Sequence, residues 1–576
     1  MAPVDYQRQG FDYVRHPDQD ADNDVGGADA LVRHPIVIVG AGPVGLALAI
    51  DLAQQRIPVV LLDNDYCLST GSRAICFAKR TLEIFDRLGC GDRMVEKGVS
   101  WKLGRVFFKD DEVYQFDLQP EPGHERPAFI NLQQYYVEGF LAERAAALPL
   151  IDIRWRSKVK GIAQFGDHAV LTIETPDGDY RITASHVAAC DGSRSTLRQL
   201  VGQEAQGRTF KDRFLIADVK MKLDRPAERW FWFDPAFHPN QSVLLHMQPD
   251  NVWRIDFQLG WDADPEEEKK PANIIPRVKA LLANSAMKDT PFELEWASVY
   301  TFSCLRMANF RHGRVLFAGD SAHGVSPFGA RGANSGVQDA ENLAWKLAAV
   351  LRGHASDALL DSYADEREAA ADENILNSTR ATDFITPKSE VSRLFRDAVL
   401  QLAKKHPFAR TLVNSGRLSV PATLHASPLN TADALGDVFE GRMVPGAVAA
   451  DAPLALGNGG GDGDSDSDGA GAPGWLLRAV GTGSFAALVF GNGAAADRSA
   501  RAVAEGAAAA DVRVDVVRVP LDDAHALAAQ RYDAQAGTVY LLRPDQHVCA
   551  RWRQPDAGAI RAAFDRVLAR ARKEQS

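Results

Sequence analysis

The first clear hydrophobic pattern along the chain consists of two short apolar runs that enclose a longer amphipathic stretch. The runs Ile36–Val39 and Val59–Leu62 have the length and composition of buried parallel strands. The stretch between them repeats with the period of a helix, and Gly40, Gly42 and Gly45 join the first strand to that helix. This pattern predicts a βαβ unit.

Further along, four segments alternate apolar and polar residues with a period of two, which predicts an antiparallel sheet. The segments are FLIADVKMKL, RWFWFD, SVLLHMQ and VWRIDFQL. The last segment has two distinct faces, with Trp253, Ile255 and Phe257 on one and Arg254, Asp256 and Gln258 on the other. One face is therefore core or pocket wall, and the other is either exposed or part of a polar pocket.

A third pattern, GRVLFAGDSAHGVSPFGARGANSGVQDAENLAWKLAAVL, starts at Gly313 with a strand and ends in a helix. The strand Val315–Ala318 leads to Asp320 and to a loop rich in glycine, serine, proline and asparagine. The helix from about Asn334 has one apolar stripe, formed by Val337, Ala340, Ala344, Leu347 and Leu351. Such a loop lets the backbone approach a ligand closely, whereas an ordinary glycine-rich turn does not explain the acid at the strand end.

The composition is that of a folded protein without a nucleic-acid or membrane partner. The chain of 576 residues and 62.7 kDa is long enough for two to four domains. Its net charge of -11 and pI near 5.7 argue against binding to nucleic acid or to an anionic membrane. The N-terminal segment lacks the apolar core of a signal peptide, and no run is as long as a membrane span. The six cysteines form no CxxC motif, which disfavours zinc or disulfides and fits a cytoplasmic protein.

The glycines of the βαβ unit have the chemistry of a dinucleotide site. Their G-x-G-x-x-G spacing lets the turn approach a pyrophosphate at the helix N-terminus, and Asp63 at the end of the second strand can bind ribose hydroxyls. The motif itself leaves FAD and NAD open. A second glycine pattern, GTGSFA from Gly481 to Ala486, precedes an apolar run too short for the motif's helix and predicts a turn. The sequence therefore predicts one nucleotide-binding βαβ unit.

The segment HVAACDGSRSTLRQLVG predicts a strand, His186–Cys190, followed by Asp191, Gly192 and a capped helix. The order of the three motifs, GxGxxG, then DG, then GD, resembles the class A flavin-dependent aromatic hydroxylases of the para-hydroxybenzoate hydroxylase group. The resemblance runs from about Leu31 to Val420. Within that group, the long C-terminal extension with VYLLRPDQHVCARW is similar to the phenol hydroxylase and 3-(3-hydroxyphenyl)propionate hydroxylase branch.

The resemblance implies FAD as cofactor and NADH or NADPH as co-substrate, and it implies roles for individual residues. For the ADP and ribityl parts of FAD these are Gly40, Gly42, Gly45, Asp63, Gln133 and Asp320. For the flavin ring they are Arg73, Gly332, Ala333 and Asn334. The residues expected near both FAD and the pyridine nucleotide are Asp191 and Gly192, with Arg198 rather than Arg194 meeting the latter. Gln134 and Arg194 are also explained as helix-surface groups, and His323 as a structural loop residue.

The resemblance also makes the antiparallel sheet the substrate layer. His246 and Arg254 are therefore candidates for contact with a phenol or a carboxylate, although a solvated sheet face explains both equally well. Phenol hydroxylases carry a catalytic aspartate before the segment RTLE, but here that position falls near Ile75. The sequence identifies no catalytic base, and no metal site is expected.

The expected fold class is α/β, with a Rossmann-type FAD-binding domain interleaved with an antiparallel-sheet substrate domain and followed by a C-terminal thioredoxin-like domain. The expected function is an FAD-dependent monooxygenase that hydroxylates a small phenolic substrate with NAD(P)H and O2 through a flavin hydroperoxide. Two alternatives stay open. One is a hydroxylase of a fused-ring polyketide, and the other is a flavin-binding sensor or scaffold without oxygen transfer.

The expected domain boundaries follow the motifs. They are an N-terminal extension, 1–30; the FAD-binding domain, 31–205 and 300–375; the substrate sheet, 206–299; a helical segment, 376–420; a linker, 421–474; and the thioredoxin-like domain, 475–576. The linker contains DSDSDG, but Trp475 stands where a calcium loop needs glutamate. Without CxxC, the last domain is expected to serve stability or homodimer contacts. Because all nucleotide motifs precede it, we expect FAD binding to survive its removal.

Overall fold

The structure is a computed structural model of the chain. It describes residues 6, 9–23, 31–69, 74–283, 287–288, 290–413, 420–454 and 474–570, with only the backbone at 21–23. Most of the low-complexity part of the expected linker therefore lies outside the described residues. None of the described helices combines the length and the hydrophobicity that a membrane crossing requires.

The helices are α1 Pro17–Asn23, α2 Pro43–Gln54, α3 Lys79–Leu88, α4 Gly91–Lys97, α5 Gln134–Ala146, α6 Thr196–Leu200, α7 Pro265–Glu268, α8 Pro271–Ala283, α9 Gly332–Leu351, α10 Asp361–Ile385, α11 Glu390–Lys405, α12 Pro407–Arg410, α13 Leu476–Ala479, α14 Ala494–Ala509, α15 Ala526–Arg531 and α16 Ala557–Val567.

The strands are β1 Arg33–Val39, β2 Val59–Leu62, β3 Cys76–Ala78, β4 Val99–Trp101, β5 Leu103–Phe108, β6 Asp111–Asp117, β7 Phe129–Asn131, β8 Ile151–Arg154, β9 Lys158–Gln164, β10 Ala169–Thr175, β11 Gly178–Ala189, β12 Ala205–Lys220, β13 Arg229–Phe233, β14 Ser242–Met247, β15 Val252–Leu259, β16 Glu293–Met307, β17 Arg311–His312, β18 Val315–Phe317, β19 His323–Gly324, β20 Pro453–Leu454, β21 Gly474–Trp475, β22 Phe485–Phe490, β23 Val514–Val519, β24 Val539–Leu542 and β25 Val548–Trp552.

The three sequence motifs meet at one edge of a largely parallel sheet. Its main strand order is β17-β18-β11-β1-β2-β8, with β9 and β10 attached through β11. β1 pairs in parallel with β2 and β11, and β11 pairs in parallel with β18. The GxGxxG, DG and GD motifs follow β1, β11 and β18 respectively, so they lie side by side at the carboxyl ends of neighbouring strands. The predicted βαβ unit and Rossmann-type domain are confirmed.

The predicted antiparallel strands form a second sheet with the order β19-β16-β12-β15-β14-β13-β5-β6. One face packs against α8, because Ile255 and Phe257 share a buried cluster with Ile274 and Val278. The opposite face is buried as well, because every residue of β15 is buried, including Arg254. The alternative of a solvated polar face is therefore wrong for this strand.

This sheet is larger than the expected boundaries 206–299. Strand β5 pairs in parallel with β13, and β6 extends the sheet beyond β5. A pairing between strands so far apart in the chain leaves no periodic signal in the sequence, which explains why the pattern did not assign β5 and β6 to this layer.

A small sheet, β3-β7-β4, connects the loop after the GD motif to the polar face of the second sheet. Asn131 of β7 donates from Nδ2 to the carbonyl of Met247 in β14 (2.7 Å). Cys76 and Trp101 of the small sheet pack in one cluster with Ala330, which precedes α9. The motif edge of the parallel sheet and the polar face of the second sheet therefore enclose one region.

The C-terminal residues form a four-stranded sheet with the order β23-β22-β24-β25. Helices α14 and α16 pack on one face together with Trp345 of α9, and α13 and α15 contribute to the cluster on the other face. Gly481–Ala486 includes a turn before β22, but α13 rather than a strand precedes that turn. Strands alternate with alanine-rich helices as expected, and the assignment to the thioredoxin-like class stays a prediction.

Candidate active site

The turn between β1 and α2 forms an open cradle at a helix N-terminus. Gly40 has φ +106°, and a Cβ there would lie 2.4 Å from the carbonyl oxygen of Cys190, so only glycine fits. A Cβ at Gly42, in contrast, would meet no atom within 4 Å. Gly42 is the N-cap of α2, and no side chain caps the first amides of that helix. Free amides, open space and the positive end of the helix dipole suit a phosphate group.

Asp63 closes this cradle at the end of β2. Its Oδ2 accepts a hydrogen bond from the amide of Ala41 at 2.5 Å, and its Oδ1 accepts one from the amide of Asp65 at 2.8 Å. Burial raises the pKa of the Asp63 carboxyl to about 6, and the two amides oppose this effect. The carboxyl is thus held beside the glycine turn, where the remaining lone pairs can accept ribose hydroxyls.

The DG turn lies against the GD loop through Arg198. The Arg198 guanidinium donates from Nη1 to the carbonyl of Ser321 (2.7 Å) and from Nη2 to the carbonyl of Ser193 (2.6 Å). Asp191 Oδ2 accepts a hydrogen bond from the amide of Leu197 (3.0 Å), whereas its buried Oδ1 has no hydrogen-bond donor among the described residues. Burial raises the pKa of the Asp191 carboxyl. Arg198 joins the two loops, and its contact with a pyridine nucleotide stays a prediction.

A buried carboxylate, which the sequence did not reveal, accepts hydrogen bonds that fix the GD loop. Asp339 of α9 accepts from the amide of Gly319 (3.0 Å), from His323 Nε2 (2.6 Å) and from Arg367 Nε (2.6 Å). His323 is buried, which fits a structural role. The neighbouring Asp320 is exposed at the end of β18, and it is therefore accessible to a ligand.

The first turn of α9 is fixed by Asn334. Asn334 Oδ1 accepts from the amide of Ala78 (2.8 Å) and from Thr81 Oγ1 (2.7 Å), and Nδ2 donates to the carbonyls of Cys76 (2.9 Å) and Ala330 (2.6 Å). These four bonds use the full capacity of the side chain. Asn334 therefore positions the helix end, and any contact of Gly332, Ala333 and Asn334 with a ligand would come from backbone groups. No side chain caps this helix end.

The two neighbouring glutamines point to different surroundings. Gln133 is buried and donates from Nε2 to the carbonyl of Pro249 (3.3 Å). Gln134 Oε1 accepts from the amide of Ala74 (3.1 Å), and its Nε2 donates to Glu138 (2.7 Å). Arg73 lies outside the described residues, but Ala74 follows it directly. Gln134 thus contacts the segment expected near the flavin, and the sequence alone could not separate two adjacent glutamines.

A row of charged side chains crosses the polar face of the second sheet. Neighbouring strands align Arg229 with His246, His246 with Arg254, and Arg254 with Asp218. Arg254 donates from Nε and Nη2 to the two carboxylate oxygens of Asp218, both at 2.8 Å, and both side chains are buried. The two candidates His246 and Arg254 are brought together, and Arg229 joins them as a residue that the sequence reasoning missed.

His246 is a neutral imidazole in this environment. Burial, together with the charge of Arg229, lowers the pKa of His246 to about 4. Its Nε2 lies 3.4 Å from Asp256 Oδ2, and its Nδ1 lies 4.0 Å from Cys76 Sγ. Because a carboxylate can only accept, Asp256 favours the tautomer with the proton on Nε2 and leaves Nδ1 as an acceptor.

A comparison with protein families identifies the chain. A family model described as an FAD binding domain matches residues 33–378. The chain belongs to this family. The geometry fits the cofactor, because the uncapped α2, the open space at Gly42 and the unpaired Asp191 Oδ1 are groups that FAD can satisfy. FAD is the cofactor of this flavoprotein.

Curated relatives of this flavoprotein are hydroxylases and monooxygenases. A probable NADH-specific resorcinol 4-hydroxylase of Rhodococcus jostii strain RHA1 is 35% identical over 58% of this chain and 62% of the relative, which is less than two thirds of its length. A 3-(3-hydroxy-phenyl)propionate/3-hydroxycinnamic acid hydroxylase of Mycolicibacterium smegmatis is 28% identical over 70% of this chain and 72% of the relative. A 6-methylpretetramide 4-monooxygenase of Streptomyces rimosus is 32% identical over 71% and 73%. The resemblance to class A flavin-dependent hydroxylases is confirmed.

Solved structures confirm the fold of the flavoprotein. The flavin-dependent monooxygenase PieE, in complex with FAD and substrate, matches with a TM-score of 0.77 at 20% identity over 94% of this chain and all of that chain. The match supports the interleaved arrangement of a Rossmann-type domain and an antiparallel sheet.

Proposed function

We propose that the flavoprotein hydroxylates a phenolic aromatic compound with NAD(P)H and O2. The observation that carries the proposal is the buried polar face with Arg229, His246 and Arg254. This face meets the cofactor side through the small sheet, since Cys76 approaches His246 and packs with Ala330. A buried polar face beside a flavin site offers dry surroundings in which an aromatic ring can be oriented.

The residues at the motif edge would hold FAD, which would supply the capacity to accept hydride from NAD(P)H and to activate O2, so that one oxygen atom is added to the ring and the other leaves as water. The chain's own residues position the substrate. In this proposal His246 Nδ1 accepts a hydrogen bond from the phenol hydroxyl, while Asp256 Oδ2 lies 3.4 Å from Nε2 on the other side of the ring. This bond shifts electron density towards the ring, which favours attack on an electrophilic oxygen. The free amides at the start of α9 stabilise negative charge at the flavin edge.

Two parts of the substrate assignment belong to the proposal. A single-ring phenol is favoured by two relatives named for resorcinol and 3-(3-hydroxy-phenyl)propionate, and the relative named for 6-methylpretetramide keeps a fused-ring substrate as a second candidate. NADH is favoured over NADPH by the name of the Rhodococcus relative. A cytoplasmic location stays a prediction.

The proposal is tested with the FAD-loaded full chain. NADH and NADPH oxidation is followed with a panel of single-ring and fused-ring phenols, and products are analysed by mass spectrometry. We expect slow oxidation without a phenol, faster oxidation with a substrate, and a product heavier by one oxygen atom. If every phenol that speeds the oxidation yields peroxide and no oxygenated product, the proposal is wrong.

We also propose that the protein forms a homodimer through α11. The exposed side of this helix carries Val391, Leu394, Phe395 and Leu402, with exposures of 77%, 71%, 59% and 45%. Their spacing of three, four and seven residues is that of a helix-packing seam, with the small Ala398 in its centre. The helix begins with an acid and ends with two lysines, so an antiparallel second copy places opposite charges together.

A further inference from the structure

Arg229 is a buried cation, and two of its three side-chain nitrogens lack a hydrogen-bond acceptor among the described residues. Its exposure is 4%. The Nε and Nη1 donors of its guanidinium find no acceptor among the described residues. A buried guanidinium normally pairs with a carboxylate, because a buried charge without a partner is costly. Arg229 therefore needs another explanation than stability.

The two carboxylates on this face lie beside other side chains. Asp218 accepts two hydrogen bonds from Arg254. Asp256 Oδ2 lies 3.4 Å from His246 Nε2. What surrounds Arg229 is aromatic: its guanidinium carbon lies 4.8 Å from the ring centre of Phe231 and 5.9 Å from that of Trp101. These rings fix the plane of the guanidinium without using its N–H donors.

The position of Arg229 points towards the substrate. Strand register places it beside His246, where its charge adds to the effect of burial and lowers the pKa of the imidazole. Burial raises the pKa of Cys76, and the charge of Arg229 opposes that rise. Trp101 also lines an open groove of about 450 Å³, together with Ala128 and His124. Arg229 therefore lies between His246 and a tryptophan that lines this groove.

We propose that Arg229 binds a carboxylate of the substrate, so that the flavoprotein acts on phenols that carry an acidic side chain; this rests on the proposed function. The planar guanidinium matches a carboxylate, and the aromatic walls lower the local dielectric and strengthen that pair. The phenol hydroxyl then meets His246, and the carboxylate meets Arg229. Because Arg229 and His246 lie side by side on neighbouring strands, the carboxylate and the hydroxyl of the substrate must be separated by a matching distance.

The test compares matched ligands on the FAD-loaded full chain. Hydroxybenzoates, hydroxyphenylacetates and 3-(3-hydroxyphenyl)propanoate are titrated beside their primary amides, and binding is read from the flavin absorbance. We expect at least one acid to bind more tightly than its amide. Arg229→Gln should weaken that acid roughly ten- to hundredfold, as for a lost charged hydrogen bond, and leave the amide within about twofold. Arg229→Lys should retain part of the preference.

A structural role for Arg229 predicts a different result. Because Nε and Nη1 have no acceptor among the described residues, Arg229→Gln should not lower the thermal midpoint of the protein without substrate, whereas loss of a structural cation would. Arg225→Gln is the matched control, because Arg225 stacks on Trp230, whose side chain lies on the other face of β13 (4.8 Å). The inference is overturned if Arg229→Gln weakens acid and amide equally or loses FAD. It is also overturned if every amide binds more tightly than its acid. Hydroxylation of neutral phenols with no acid preference overturns it too but leaves the proposed function standing.

Discussion

Arg543 Nη1 lies 2.6 Å from Glu366 Oε1, and both side chains are completely shielded from solvent. Arg543 follows β24 in the C-terminal sheet, whereas Glu366 belongs to α10. Glu366 also accepts from Lys346 Nζ at 2.7 Å, and Arg543 pairs with Asp545. Burial alone would raise the pKa of Glu366, but the charges of Arg543 and Lys346 outweigh it and hold that pKa below its usual range. The C-terminal residues thus neutralise charges buried between α9 and α10.

The first prediction concerns this pair. Arg543→Met removes a cation from a buried network and leaves Glu366 and Asp545 undercompensated, so it should destabilise the protein by about 3 to 5 kcal/mol. Unfolding in urea, followed by tryptophan fluorescence, measures the change. Arg518→Met is the control, because its pair with Asp497 is about half exposed (47% and 50%) and should contribute less than about 1 kcal/mol. Equal effects of both variants would contradict the assignment.

The second prediction concerns removal of the C-terminal sheet. The order of the motifs suggested that FAD binding would survive it, but the buried contacts indicate the opposite. Arg80 of α3 donates to Gln546 Oε1 (2.8 Å) and to the carbonyl of Asp545 (2.9 Å), and it is 2% exposed. A chain ending at Leu454 would expose these groups and leave Glu366 and Lys346 without Arg543. We expect little soluble protein and little bound FAD, measured by yield and by the flavin-to-protein absorbance ratio. A soluble truncated chain with one FAD would show that the network is dispensable.

The sequence predicted those parts of the fold that depend on local pattern. The βαβ unit, the loop after Asp320 and the helix near Asn334 follow from glycine spacing and helix period. Contacts between distant residues were out of reach: Arg80 and Gln546 are 466 positions apart. The role of Arg229 depends on missing hydrogen-bond partners, and a sequence does not reveal those. Gln133 and Gln134 are adjacent, and only Gln134 contacts Ala74. The helix period alone does not show which of the two glutamines makes this contact.

Gly42→Ala is the third prediction, and it separates cofactor binding from folding. Gly42 has φ -73°, which alanine adopts freely, and its Cβ would meet no protein atom within 4 Å. The new methyl group would occupy space expected for the pyrophosphate, so the FAD dissociation constant should rise roughly ten- to hundredfold, as for other overpacked sites. The thermal midpoint of the apoprotein should not change. Gly260→Ala is the control, since that site is also open; unchanged FAD affinity in Gly42→Ala would contradict the cradle.

The fourth prediction is a pH dependence of FAD binding through Asp63. Burial raises the pKa of this carboxyl to about 6 in the ligand-free structure, so it is largely ionised at pH 7 and largely protonated at pH 5. The ionised form accepts ribose hydroxyls better, and therefore the affinity should fall as pH falls through 6, by roughly tenfold between pH 7 and pH 5. Titration of the apoprotein with FAD measures it. Asp63→Asn should bind more weakly and lose this dependence; if the variant keeps the same pH profile, another group is responsible.

The last prediction tests the seam on α11. If a second copy covers Leu394 and Phe395, the wild-type protein should sediment as a dimer at micromolar concentration, because an exposed apolar stripe of several residues gains from burial at roughly 25 cal/mol per Å². The double variant Leu394→Lys and Phe395→Lys would place like charges opposite each other in an antiparallel pair of helices. It should be a monomer that still binds FAD. Val438→Lys is the matched control, since Val438 is 74% exposed and its carbonyl accepts a hydrogen bond from Arg553, which follows β25 (2.6 Å). A monomeric wild type, or a double variant that remains dimeric, would show that this face of α11 is not the interface.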